Sequence, residues 1–142
     1  MTHANRGRQL ERAINELFKR YHALSIPCGQ IFPRQLHDGT IVDKAPFDFW
    51  TLHKGKLYAF DAKMCEAHAW NVGTNAKLHQ VKALTDVVAH GGAGFFLVLF
   101  TRTRQLVRFD IPFAYPDLKS LKPMHGEILP GLDFLNALEI TH

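Results

Sequence analysis

The stretch FDFWTLHKGKLYAFDAK, residues 47–63, constrains this chain more than any other. Apolar and aromatic residues flank HKGK, residues 53–56, and read as two antiparallel strands joined by a tight turn. The turn sets the register. Opposing residues have numbers that add to 109, as 53 and 56 do, so Asp48 faces Asp61. Their Cβ atoms are expected roughly 5 Å apart on one face of the sheet. Like charges directly opposite destabilise a sheet, and a buried carboxylate is costly unless paired or bound to a cation. Lys63, two residues beyond Asp61, shares that face. One ammonium beside two carboxylates leaves a negative surplus. A hard divalent cation such as Mg²⁺ satisfies it, since Mg²⁺ takes one or two carboxylates together with waters and phosphate oxygens. A structural Asp–Lys–Asp ion cluster at a sheet edge is the alternative.

The remaining pattern gives these strands a context. Residues 5–24 read as a helix with Leu10, Ile14, Leu17, Phe18, Tyr21 and Leu24 on one face, ended by Pro27. A strand over 28–35 runs to a turn at HDGT, 37–40, and another returns from about Ile41, interrupted near Pro46. The hairpin strands follow at 47–52 and 57–63. MCEAHAWNVGTNA, 64–76, has no period and is expected as a loop. The spacing then predicts a helix over 77–90 with Leu78, Val81, Leu84 and Val88 on one face, stopped by HGGAG. Strands are expected at 94–101 and 105–109. The C-terminal third holds Pro112, Pro116, Pro123 and Pro130 and is expected to be mostly irregular, with a short helix near 131–138. This order describes an α/β sandwich with a mixed sheet. The step from strand 57–63 through helix 77–90 to strand 94–101 resembles a right-handed parallel crossover. With 142 residues, 46% of them hydrophobic, and no repeat or linker, one domain over 1–142 is expected.

Composition narrows the partners. No run approaches the ~18 apolar residues of a membrane span. The beginning, MTHANRGRQLER, is charged without an apolar core, so no secretory signal is read there and a cytoplasmic protein is expected. Cys28 and Cys65 form no C-x-x-C and read as reduced thiols. Cys65 and His68 have zinc-ligand spacing, but a second ligand pair is missing. A net charge of +4 favours a polyanionic partner.

Two helix-margin residues extend the acidic pair. Glu11 lies at the edge of the first helix's apolar face near Phe18, with Arg8, Arg12 and Asn15 adjoining. Gln80 lies at the apolar margin of the second helix beside Leu84 and Val87, with Lys77 on the same side. Taken singly, each reads as a solvated or boundary polar residue.

Taken together, these residues resemble a known family. FD at 47–48 followed by FDAK at 60–63 resembles the bipartite PD-(D/E)xK nuclease signature. NRGRQLE, 5–11, is similar to the N-terminal helix motif of Holliday junction resolvases. HQ at 79–80 and GGAGFFLVLF at 91–100 are similar to the same stretch of the bacterial RecU-type enzymes, so the resemblance covers roughly residues 5–110. There are two departures. Phe47 stands where a Pro usually precedes the first Asp, with Pro46 one place earlier. Residues 31–45 are short for a RecU-type protein, leaving room only for a small β-projection where that family has a stalk across the dimer.

The resemblance implies a restriction-endonuclease-like core, a mixed sheet flanked by helices. It implies Asp48 and Asp61 as metal ligands, the Ala62 carbonyl as a further ligand and Glu11 as the helix carboxylate completing the site. Lys63 would orient or activate the attacking water, and Gln80 would support water or phosphate placement. The implied activity is a Mg²⁺-dependent endodeoxyribonuclease, Mn²⁺ substituting, that resolves four-way DNA junctions by paired symmetric nicks as a homodimer. Arg6, Arg8, Arg34, Lys77 and Lys82 are candidate phosphate contacts. Trp70 stands in the 64–76 segment either to stack on an opened base or to pack. Other readings are a restriction- or repair-type nuclease on the same core, or a non-catalytic DNA-binding module. Intact Asp48, Asp61 and Lys63 speak against the last.

Overall fold

At the HKGK turn, Lys54 and Gly55 have φ of 51° and 79°, so both central residues are left-handed as in a type I′ turn. This joins β2 (Phe49–His53) to β3 (Lys56–Cys65) in antiparallel register, Phe49 opposite Phe60 and His53 opposite Lys56. The register is the one read from the sequence. The computed structural model describes residues 8–16, 28–30 (backbone) and 47–129.

Helix α1 runs through the described residues 8–16, inside the helix expected over 5–24. The short β1 (Cys28–Gln30) pairs antiparallel with β2, and the expected turn and β-projection over 31–45 lie outside the described residues. After β3 come β4 (Trp70–Asn71), a single turn α2 (Val72–Asn75) and α3 (Leu78–Ala89). β5 (Ala93–Phe100) then runs parallel to β3, as a crossover requires. β6 (Gln105–Asp110) pairs antiparallel with β5. β7 (Ser120–Leu121), a 3₁₀ turn (Pro123–His125) and β8 (Glu127–Leu129) close the described chain. Six strands lie in the order β1-β2-β3-β5-β6-β8, a mixed sheet with α1 and α3 packed against it. None of the described helices is long and apolar enough to cross a membrane.

Strand alternation divides the core in two. Phe49, Tyr58, Phe60, Phe95 and Leu97 face α1, where Leu10 and Ile14 are buried among them. Phe49, Phe60 and Phe95 form a stacked ladder across three strands, with centroids 5.3 and 5.0 Å apart. Ala59, Phe96, Val98, Val107 and Phe109 take the other face beneath Leu84 of α3. Asp61 and Lys63, of odd number like Ala59, belong to the α3 face. Helix and sheet meet there almost backbone to backbone. A Cβ added at Gly94 would lie 2.6 Å from the Leu84 carbonyl oxygen.

Three expectations change. The 64–76 segment is not simply loop: β3 runs on to Cys65, and Trp70 anchors β4 against β7. Asn71 caps α2 by accepting from the Thr74 amide at 3.2 Å. The apolar face of α3 does not include Leu78, which is 83% exposed at the first helical position; the buried stripe begins a turn later with Val81, Leu84 and Val87. The proline-rich C-terminal third is less irregular than expected, because β8 pairs with β6 and extends the sheet. The short helix near 131–138 lies outside the described residues.

Candidate active site

Asp48 immediately precedes β2, so continuing the register by one pair sets it opposite Asp61. Asp48 Oδ2 accepts from the Ala62 backbone amide at 3.1 Å, which holds the carboxylate against β3. Asp61 is 1% exposed. Its Oδ2 lies 2.7 Å from Lys63 Nζ, the ion pair expected of residues two apart on a strand. Lys63 Nζ in turn donates to Gln80 Oε1 at 3.1 Å. That oxygen also accepts from the Lys77 amide at 3.2 Å, closing the first turn of α3. Gln80 is therefore fixed by the helix start and hands one lone pair to the lysine.

The acidic pair carries a surplus of negative charge. Burial first, then the charge of Asp61 and a hydrogen bond to Asp61, push the Asp48 carboxyl from 3.8 up to about 8. The Ala62 amide pulls it down, and the charge of Glu11 raises it slightly. Asp61 has the lysine ammonium against it, while Asp48 has only a backbone amide. The extra proton therefore sits on Asp48. Asp61 Oδ1 is buried, and with both carboxylates ionised it has no donor among the described residues. A buried, donorless carboxylate oxygen facing a second carboxylate fits a hard divalent cation and suits no neutral ligand. Among the described residues, no three His, Cys, Asp or Glu side chains converge as a metal cage. The site is an acidic pair with Glu11 felt at its margin, and protein oxygens alone do not surround an ion there.

The other predicted residues fall into place unevenly. Ala62 enters the site through its amide. Arg8 and Lys82 are exposed on α1 and α3, and Lys77 is exposed at the start of α3, its Nζ donating to the Thr74 carbonyl at 3.3 Å. Arg6 and Arg34 lie outside the described residues. Trp70 is 1% exposed, 5.3 Å from the Phe96 ring and 5.7 Å from the Phe109 ring. It is a core residue, and no face of it is open for a base to stack upon. The Cys65 thiol donates to the Ala67 and Ala69 carbonyls at 3.5 and 3.4 Å, and burial raises its pKa. His68 contacts Arg102 rather than Cys65. The tie between Gln80 and the Lys77 amide was not anticipated, although Gln three residues after a helix start is its usual signal.

Comparison with known proteins agrees with this geometry. A family described as "RecU: Recombination protein U" matches residues 5–114, most of the chain. A Holliday junction resolvase RecU of Bacillus thuringiensis (strain Al Hakam) is 29% identical over 124 residues, covering 77% of this chain and 62% of the relative. The protein of the same name from Bacillus cereus (strain AH820) gives the same figures. The one from Bacillus cytotoxicus is 28% identical over 173 residues, covering 99% of this chain and 86% of the relative. The chain thus spans less than two thirds of the length of the first two. The 173 aligned positions of the third exceed the 142 residues here by 31, so at least that many have no counterpart in this chain.

Proposed function

Because this chain belongs to the RecU family of recombination proteins, we propose that it is a divalent-metal-dependent endonuclease that cuts four-way DNA junctions. The observation that supports this most is the facing of Asp48 and Asp61 with Lys63 2.7 Å from Asp61 and Gln80 3.1 Å from Lys63. A structural ion cluster has no use for a surplus carboxylate left protonated by burial.

Each group has a task in phosphodiester hydrolysis. Asp48 and Asp61 hold the cation, joined by the Ala62 carbonyl and by Glu11 from the opposite helix. When bound, the cation, Mg²⁺ with Mn²⁺ as substitute, supplies Lewis acidity to the phosphodiester and fixes in-line geometry. Lys63 sets a positive charge beside the attacking water and the phosphoryl oxygens. Gln80 Oε1 keeps the lysine aimed by taking one of its three protons, leaving the others for Asp61 and the substrate. Arg8, Lys77 and Lys82 contact phosphates, as do Arg6 and Arg34. A homodimer presents two such sites to the near two-fold symmetry of a junction and makes paired nicks.

Cleavage of a synthetic four-way junction, compared with matched duplex and a flap, tests the proposal. Paired nicks in the junction at protein concentrations that leave duplex intact are expected. The 31 or more positions that this chain lacks support a second reading, a nuclease of the same core acting on other DNA. Equal cutting of duplex and junction would favour it.

A further inference from the structure

A second charged feature lies at the same end of the sheet as the acidic pair. β3 and β5 run parallel, so the loops after Cys65 and Phe100 leave the sheet at one edge. Lys63 stands two residues before that edge on β3. The two loops are clamped together: the Thr101 amide donates to the Cys65 carbonyl at 2.9 Å. Arg102 Nη1 lies 3.3 Å from His68 Nε2, a contact between residues 34 apart in sequence. The segment around Lys122 closes the third side. The result is a groove of about 270 Å³ lined by His68, Arg102, Thr103, Gln105 and Lys122 over the Phe100 ring.

The lining has no carboxylate. Arg102 and Lys122 are exposed, and neither has a carboxylate partner among the described residues. Uncompensated cations in a concave surface focus attraction for an anion. A guanidinium fork, an ammonium, a hydroxyl and a carboxamide together present donors suited to phosphate oxygens. The chain from Lys63 to His68 spans at most roughly 18 Å, about five nucleotide steps of one DNA strand at ~3.4 Å each.

We propose that this groove binds a backbone phosphate of the DNA within about five nucleotides of the bond that is cut. The proposal rests on the nuclease reading above. The phosphate contact would set the angle at which the strand enters the site without reading its sequence.

The test compares the full chain with Arg102→Gln/Lys122→Gln and with an equal-charge control, Lys54→Gln/Lys56→Gln, at the turn on the opposite end of β3. The probe is a labelled four-way junction in chelator, titrated at several salt concentrations. The groove variant should bind at least about tenfold more weakly, and its slope of log affinity against log salt should be shallower by ~1.8, or ~0.9 per lost phosphate contact. The control should keep the wild-type slope, and all three proteins should melt alike. Wild-type affinity and slope in the groove variant would overturn the proposal and leave the nuclease reading standing. An equal loss in the control would overturn it too, showing diffuse charge. Failure of the wild type to bind junction DNA would bring down both.

Discussion

Replacing Asp48 by Asn asks whether the acidic pair is held against its own repulsion when no cation is bound. Burial and the charge of Asp61 raise the Asp48 carboxyl from 3.8 to about 8. Between those values the folded, metal-free protein keeps a proton that the unfolded chain has released. The unfolded state then binds fewer protons, so stability falls as pH rises, by about 1.4 kcal/mol per pH unit, and levels off near pH 8. Asn does not titrate and still offers an oxygen to the Ala62 amide. The stability difference between Asp48→Asn and wild type should therefore move in favour of the variant by about 3 kcal/mol from about pH 5 to about pH 7. Urea unfolding in chelator, followed by circular dichroism across that range, measures it. A difference that stays constant with pH would refute the reasoning, because the pair would then share its charge without penalty. The same proton must leave when a cation enters. Binding of Mg²⁺ to the wild type at about pH 7 should release roughly 0.9 proton, read by calorimetry in two buffers of different ionisation enthalpy.

Other expectations follow from the same geometry. Asp61→Asn should lower junction cleavage by at least ~10²-fold while leaving junction affinity equal or higher, in parallel cleavage and gel-shift titrations. Gln80→Ala frees the lysine ammonium from its 3.1 Å partner and should slow cleavage about tenfold at saturating junction, without a drop in melting temperature beyond that expected for a half-buried side chain. Trp70→Ala removes a ring packed on Phe96 and Phe109 and should destabilise by ~3–5 kcal/mol in urea melts. Chelation should abolish cleavage, with Mg²⁺ or Mn²⁺ restoring it and Ca²⁺ restoring it poorly, because Ca²⁺ is larger and looser in its geometry.

Local chemistry was legible in the sequence where a short-range constraint determined it. A two-residue turn admits one register, so the Asp48–Asp61 opposition and the shared face of Asp61 and Lys63 could be read from spacing alone. The β3–β5 parallel step was legible because an apolar strand, a helix and another apolar strand leave few alternatives. What was not legible depends on contacts between distant residues. Trp70 looks the same in sequence whether it caps a core or stacks on a base, and only Phe96 and Phe109 from the far strands decide. Leu78 fits the helical period but stands one turn before the buried stripe begins. β8 has no pattern of its own and exists because β6 offers an edge. The His68–Arg102 contact joins loops that no local rule brings together.

The bare backbone at Gly94 gives α3 a mechanical character. The Leu84 carbonyl rests where any other residue would place a methyl group. Gln80 stands one turn towards the helix start from Leu84, ~6 Å along the axis. The helix is thus a short lever with its pivot on β5 and the Gln80 carboxamide near its tip. Lifting the pivot by the width of a methyl tilts the tip away from Lys63, and a 3.1 Å hydrogen bond has little slack to absorb that. The aim of the lysine is in this sense governed by an atom that is missing from an uncharged residue on the neighbouring strand. Drift at position 94 would leave a folded protein whose acidic pair is intact and whose cutting is lost.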